Sequence, residues 1–261
     1  MTNSVEIAWD QAASGYDAYF SPRFAPYLAT ALGALIGRKS ELPKSGCVLA
    51  PCVGPGRELA GLARAFSERR IVASDLSGEM VSLARRRNAG FANVSVERED
   101  ATRLRAPASP ASALYSVFGL QLLPDPAATL GHWLELLAPK GLATVVYWPR
   151  HSDDGGPFDT LRRLIAESSS VDETWEGKLE ASARAASAHV LQDVRIAFEM
   201  KHDDAPSYWQ ALTQLGPLRG LANARGQAFV AELGTRFAAA LPHGPLEHTP
   251  EARLLLIERD G

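Results

Sequence analysis

Cysteine, methionine and surplus positive charge are what this 261-residue sequence has least of. Its two cysteines, Cys47 and Cys52, fall beside or within one short apolar segment, and that leaves no disulfide framework and no CxxC metal pair. No metal is expected, and a reducing, intracellular compartment fits. Lys and Arg total 27 against 30 Asp and Glu, a formal charge of −3, so the basic face of a nucleic-acid binder is missing. No window approaches the roughly 18 apolar residues of a membrane helix. The opening "MTNSVEIAWDQAASGYDAYF" has no basic stretch leading into an apolar core. The expectation is a cytoplasmic protein with neither nucleic acid nor membrane as partner. Internal repeats and low-complexity tails are also absent, and nothing in the sequence sets the oligomeric state.

What is present is ordinary for a globular chain: 46% hydrophobic and 22% charged residues, enough apolar content to exclude disorder. The length suits one large α/β domain with an inserted or appended segment. "SPRFAPYLATALGALIG" carries Phe24, Leu28, Leu32 and Leu35 at helical steps and reads as an amphipathic helix entered through Pro22 or Pro26. Strands and helices then alternate. "GCVLAP", "RIVASD", "NVSVERED", "SALYSVFGLQLL" and "GLATVVYW" read as strands, with the third closing on Asp100. "RELAGLARAF", "SGEMVSLARRR" (Met80, Leu83 and Ala84 inward) and "PAATLGHWLELLAP" read as helices between them. Regular alternation implies a parallel sheet covered on both faces.

After Trp148 the rhythm breaks. Residues 158–190 read as two helices separated by "SSSVDETWEG". "DVRIAFEM", with Val194, Ile196, Phe198 and Met200 alternating, reads as one strand. "APSYWQALTQLG" and "GQAFVAELGTRFAAAL" read as helices, and "ARLLLIERD" as a buried strand.

The chemistry concentrates in "VLAPCVGPGREL". In a doubly wound sheet the loop after the first strand faces the ligand, and glycines at 54 and 56 let backbone come close to it. A tight turn would use the same glycines. Asp75 ends the second strand nineteen residues after Gly56, where an acid can accept from both hydroxyls of a ribose. Its structural alternative is the N-cap of the helix starting near Gly78, a role Ser77 fills equally well. Pro55 has no N–H to offer a phosphate, and Leu59 stands where a third glycine of GxGxxG belongs. A ligand with a ribose and no phosphate fits, and S-adenosylmethionine is such a ligand.

"VLAPCVGPGRELAGLA", "IVASDLSGEMVSLARR", "VEREDATRL", "LYSVFGLQLLPDP" and "LAPKGLATVVYW" resemble, in order, the successive motifs of class I S-adenosylmethionine-dependent methyltransferases. The opening "WDQAASGYDAYFSPRFAPYL" resembles the N-terminal cap of the small-molecule branch, which includes the ubiquinone and menaquinone methyltransferases. The resemblance covers most of residues 9–148. It implies a Rossmann-like, doubly wound, seven-stranded sheet, mostly parallel with an antiparallel last strand, "DVRIAFEM" and "ARLLLIERD" being strands six and seven. It implies a helical N-terminal cap over residues 1–45 and a core over 46–261 with a helical insertion near 151–190.

By the same resemblance Gly54 and Gly56 would run under the methionine part of S-adenosylmethionine. Asp75 would hold the ribose, Leu76 and Met80 would flank the adenine, and Asp100 and Ala101 would meet its edge. Phe118 and Gly119 would line the pocket, and Tyr16, Tyr19 and Phe20 would close over it. Two positions depart from the family pattern. Ala50 replaces an acid and Cys52 a glycine, so Cys52 is counted with the cofactor loop and read as a small packing residue.

Methyl transfer from a sulfonium needs alignment more than a catalytic side chain. The candidates for an orienting or basic group are therefore weak: His151 in the turn after the fifth strand, Gln121 just past the fourth, and Tyr147 at the end of the fifth. His151 reads equally as a solvated loop histidine and Tyr147 as core, while His132 belongs on a polar helix face. Tyr147 and Trp148 could also give the methyl acceptor an aromatic wall. The expected function is methylation of a small molecule. The alternatives are a catalytically silent S-adenosylmethionine-binding module and an NAD(P)-dependent oxidoreductase.

Overall fold

Val48, Leu49, Ala50 and Pro51 are all buried, and a strand closed off on both faces needs neighbours on both sides. In a computed structural model, which describes residues 4–166 and 174–261, it has them. The strands are β1 (Val48–Pro51), β2 (Ile71–Asp75), β3 (Val94–Arg98), β4 (Ala111–Val117), β5 (Leu137–Tyr147), β6 (Ala188–Ala197), β7 (Met200–His202), β8 (Leu246–His248) and β9 (Glu251–Arg259). The α-helices are α1 (Ser4–Gly37), α2 (Leu59–Ala65), α3 (Gly78–Arg87), α4 (Pro126–Glu135), α5 (Pro157–Ala166), α6 (Leu179–Ala185), α7 (Ala205–Leu212), α8 (Gly216–Arg225) and α9 (Gln227–Ala239).

Seven strands form one sheet in the order β3-β2-β1-β4-β5-β9-β6. The pairs β1–β2, β2–β3, β1–β4 and β4–β5 are parallel, and β9 runs antiparallel to β5. This is the Rossmann-like architecture expected, and its strand order reverses between β1 and β4. Ligands of such sheets bind beyond the strands' carboxyl ends at that point.

The chain forms two compact units. One comprises Pro26–Pro149, Glu173–Ile196 and Ala252–Gly261 and holds the sheet; the other comprises Met1–Ala25, Arg150–Asp172 and Ala197–Glu251. The core of the sheet unit gathers Leu114, Leu130, Trp133, Leu134, Val145 and Ile257. Trp133 is fully buried, and its indole N–H reaches the Ala101 carbonyl at 2.8 Å, so the ring carries no unmet donor. Helix α4 packs on α6 in the same unit. In the other unit α9 packs against α5, α7 and α8, and β7 pairs antiparallel with β8 as a separate ribbon. Gly216 and Gly234 leave room there for the rings of Trp9 and Trp209; a Cβ at either would strike the indole.

Several elements differ from the sequence reading. Helix α1 starts at Ser4 and runs through both Pro22 and Pro26. Each proline removes one helical hydrogen bond and costs about 3 kcal/mol in an ordinary interior. The burial of Phe20, Phe24, Tyr27, Ala31 and Leu35 along the helix offsets that cost. "DVRIAFEM" is not one strand: its first residues end β6, and Met200 opens β7 in the other sheet. Strand β6 also begins at Ala188, inside the stretch read as helical to 190. That stretch contains α5 and α6, but most of the separating "SSSVDETWEG" lies outside the described residues. Strand β3 stops at Arg98, two residues short of Asp100. In α3, Val81 is buried and Leu83 only half-buried. Helix α8 and the β7–β8 ribbon had no counterpart in the reading.

Candidate functional site

Beyond the carboxyl end of β1 the chain turns through Cys52, Val53, Gly54, Pro55 and Gly56 before α2. Three of these have left-handed backbone: Cys52 (φ 56°), Gly54 (φ 52°) and Gly56 (φ 69°). For the glycines this carries no steric penalty; for cysteine it costs roughly 1–2 kcal/mol. Phe118, just past β4, is also left-handed at φ 61°. Two strained non-glycine residues therefore follow the two strands that flank the switch point. Strain of this kind collects at ligand sites.

The loop is tied down from α3 and β2. The Gly54 N–H donates to Asp75 Oδ2 at 2.8 Å, and the Ser77 N–H donates to Asp75 Oδ1 at 3.0 Å. The Asn88 amide donates to the Gly56 carbonyl at 2.9 Å, and Arg87 Nη1 donates to the Pro55 carbonyl. A Cβ on Gly56 would lie 2.7 Å from the Ala84 Cβ and 3.1 Å from its Cα, so this glycine is the point where the loop meets α3. Ser77 caps α3 through Met80 N, which leaves Asp75 out of that role. A carboxylate has about four acceptor sites, and those of Asp75 take these two backbone donors at the carboxyl end of β2.

Asp100 is exposed, and its Oδ1 accepts from the Thr102 N–H at 2.9 Å and the Thr102 hydroxyl at 2.7 Å. That turn caps a short 3-10 segment, Ala101–Arg103. Ala101 is buried in the core, Met80 is buried in α3, and Leu76 is half-buried with its carbonyl held by Arg98 Nε at 3.2 Å. Phe118 stacks on Trp148, with ring centroids 4.2 Å apart and planes 7° apart, and Tyr27 meets both rings edge-on. A Cβ on Gly119 would collide with the Cys52 Cβ.

The thiol of Cys52 is pushed well above its ordinary range by burial and by the Asp75 and Asp100 carboxylates, so it is a neutral packing group. Both carboxylates thus act on one small volume beside Cys52. Ala50 is buried in β1 and brings no charge to it. The sequence reading missed Glu58. Half-buried at the start of α2, it faces Asp75 and Arg87. Burial is the main cause and Asp75 a further one of a carboxyl pKa pushed up to about 7. A glutamate before a helix looks like a solvated residue in sequence, and only the fold reveals its surroundings.

A raised carboxyl pKa means the folded chain favours the neutral form. That contribution is fully present below the ordinary carboxyl pKa and is lost as pH rises toward 7. Glu58→Gln should therefore stabilise the protein by about 2–3 kcal/mol at pH 8 and by little at pH 4. Urea unfolding at the two pH values checks this; an equal effect at both would contradict it.

The weak catalytic candidates fare unevenly. Gln121 lies in the 3-10 turn Leu120–Leu122 (its Nε2 donates to the Phe118 carbonyl at 2.8 Å), and its buried Oε1 has no partner. Tyr147 is core: it is buried, meets Trp175 edge-on at 5.1 Å, and its phenol pKa is raised well above the usual range by burial. It is unsuited to act as a base. His151 is exposed in the other unit, with Nδ1 3.6 Å from Asp154. His132 is half-buried and bonds the Leu104 carbonyl at 3.0 Å, so it does not sit on a purely polar face. Tyr16 and Tyr19 belong to the other unit. Tyr16 stacks on Phe20, and the Tyr19 hydroxyl lies 2.6 Å from His202 Nδ1. Among the described residues no group of His, Cys, Asp and Glu is placed to hold a metal, and no helix is long and apolar enough to cross a membrane.

Comparison with known proteins agrees with this geometry. Residues 48–141 match a family described as "Methyltransferase domain". The trans-aconitate 2-methyltransferase of Azoarcus sp. (strain BH72) is 30% identical over 207 residues, covering 72% of this chain and 76% of that protein. Among solved structures, the YcgJ protein of Bacillus subtilis superposes with a TM-score of 0.58 at 16% identity, covering 89% of this chain and 99% of its own. The [4+2]-cyclase SpnF gives a TM-score of 0.55 at 19% identity over 88% of this chain and 80% of its own. At these identities the structures share the fold.

Proposed function

The chain belongs to the class I S-adenosylmethionine-dependent methyltransferases, and from that premise we propose that it methylates a small molecule held beyond the carboxyl ends of β1 and β4. S-adenosylmethionine is the cofactor of this family, which sets the oxidoreductase reading aside. When bound it supplies a methyl group on a positively charged sulfur that is ready to leave. The small-molecule acceptor is supported by the relative named for trans-aconitate.

The observation that carries the reading is Asp75. Its carboxylate is fixed by two backbone N–H groups at the carboxyl end of β2, beside the glycine loop, and a carboxylate there can accept from the two hydroxyls of a ribose. Gly54 and Gly56 let the backbone pass beneath a ligand, with Cys52 packing beside them. Leu76, Met80 and Ala101 offer apolar walls for adenine, and Asp100 an acceptor for its amino group. Phe118 and Gly119 complete the wall on the β4 side. Glu58 is the carboxyl available for the ligand's ammonium group, a charge Ala50 does not meet. The chain's own residues thus bind and orient, and the reaction needs reacting atoms held about 3–3.5 Å apart with water excluded.

Donor carrying a radiolabelled methyl group, incubated with the protein and a low-molecular-mass cell extract, should label material that stays small. Label appearing only in protein or nucleic acid would refute the small-molecule reading.

A further inference from the structure

The β7–β8 ribbon has three residues in each strand, paired Met200 with His248, Lys201 with Glu247 and His202 with Leu246. A two-stranded ribbon is marginal by itself in water. Its buried side chains hold it through one hydrogen-bonded line. Asp153 Oδ2 lies 2.9 Å from His248 Nδ1, His248 Nε2 lies 3.1 Å from His202 Nε2, and His202 Nδ1 lies 2.6 Å from the Tyr19 hydroxyl. The line joins α1, both strands and the turn before α5, all within the unit that does not hold the sheet. Both imidazoles are buried, and the Tyr208 ring of α7 lies nearly flat on His202 with centroids 3.6 Å apart. Helix α1 makes a second tie through Arg23, whose Nη2 donates to the Lys201 carbonyl at 3.3 Å while its guanidinium lies 3.7 Å from the centre of the Tyr19 ring.

The placing of the hydrogens follows from one end. Asp153 accepts from the N–H groups of Phe158 (3.0 Å) and Asp159 (2.8 Å), and from His248. His248 Nδ1 therefore carries a hydrogen, and its Nε2 accepts. His202 must then donate from Nε2, which leaves its Nδ1 to accept from Tyr19. The line is now full. The contact between the two Nε2 atoms holds one hydrogen and no more, so an added proton has one place to go, His202 Nδ1. Tyr19 then faces an N–H, and its own hydroxyl hydrogen loses its acceptor. The new charge is buried, and it stands beside Arg23.

We propose that this line is an acid-sensitive latch: closed, it pins the ribbon to α1, and one added proton at the Tyr19–His202 contact opens it. The closed line takes that proton poorly and an opened ribbon takes it readily, so acid draws the unit toward the open form. Opening also gives water to the Tyr208 hydroxyl, which is buried without a hydrogen-bond partner.

Burial first, then His248 and Arg23, hold His202 down to about 3, against an ordinary imidazole value near 6.5. The stabilisation is therefore fully present above about pH 6.5 and is lost as the pH falls toward 3. Burial raises the Tyr19 phenol despite Arg23, and Asp203 pushes the same way, so Tyr19 stays a neutral donor while the latch is closed. The remaining charged side chain of β7, Lys201, is exposed and pairs with Glu199 at 3.1 Å and Glu247 at 3.0 Å.

Hydrogen exchange of the full chain, read by mass spectrometry at pH 8 and pH 5 and scaled for the intrinsic pH dependence of amide exchange, tests the latch without donor or acceptor. Peptides from β7 and β8 should lose protection about thirtyfold at pH 5, the ratio of proton uptake by His202 in the open and closed forms. Those from β4 and β5 should keep theirs. His202→Gln, whose amide can donate to His248 and does not titrate, should abolish the loss. Histidine NMR of the native protein covers the case of a variant that does not fold: at pH 8 a hydrogen should sit on His202 Nε2 and none on its Nδ1. Equal protection of the ribbon at the two pH values, the same loss in His202→Gln, or a hydrogen on His202 Nδ1 at pH 8 would overturn the latch.

Discussion

Replacing Gly119 by alanine should destabilise the protein by about 3 kcal/mol, the upper range for overpacking, and replacing Cys52 by glycine in the same chain should restore it. Gly119 itself has ordinary backbone (φ −94°), so alanine meets no conformational penalty there. The whole effect comes from the collision of two Cβ atoms, that of residue 119 and that of Cys52. Both are fixed by backbone, and no change of rotamer separates them. Cys52→Gly removes one of the two and also relieves left-handed strain of roughly 1–2 kcal/mol, so the double variant should fall within about 1 kcal/mol of the native protein. Urea unfolding of the two single variants and the double one decides it. A double variant no more stable than Gly119→Ala would mean the loops after β1 and β4 do not meet as described.

Asp75→Ala should weaken binding of S-adenosylhomocysteine, the product form of the cofactor, on the order of a hundredfold. Two hydrogen bonds to a charged acceptor are lost, each worth about 1.5–3 kcal/mol, and the Gly54 and Ser77 N–H groups lose their acceptor. Part of the loss is therefore disorder of the loop itself. Asp100→Ala should cost much less, since Asp100 is exposed and bonds Thr102 in its own turn. Calorimetric titration of the two variants measures the contrast, and equal losses would count against a ribose role for Asp75.

The sheet half of this protein was legible because its signals are local. Asp75 ends a strand, Ser77 precedes a helix, and two glycines interrupt an apolar run; each reports on its own few residues. The places where reading failed depend on distant packing. Nothing near Pro22 or Pro26 announces that burial from Phe20 to Leu35 carries a helix through both. "DVRIAFEM" alternates without a break, yet the chain leaves one sheet and joins another within it. Gly216 and Pro217 open α8, which the sequence reading lacked, and proline in the first turn costs no hydrogen bond there. Nothing in the residues beside Glu58 announces its burial, which comes from the fold. The left-handed backbone of Cys52, and the glycine its Cβ demands at 119, came from the fold.

Thermal unfolding of the native protein with excess S-adenosylhomocysteine, with excess NADH, and with neither tests the central claim most directly. A ligand at about a hundred times its dissociation constant stabilises by roughly 2.7 kcal/mol, and each kcal/mol raises the midpoint on the order of 2–4 °C in a chain of this size. The account predicts a rise of several degrees with S-adenosylhomocysteine and none with NADH. A rise with NADH alone, or with neither, would contradict it.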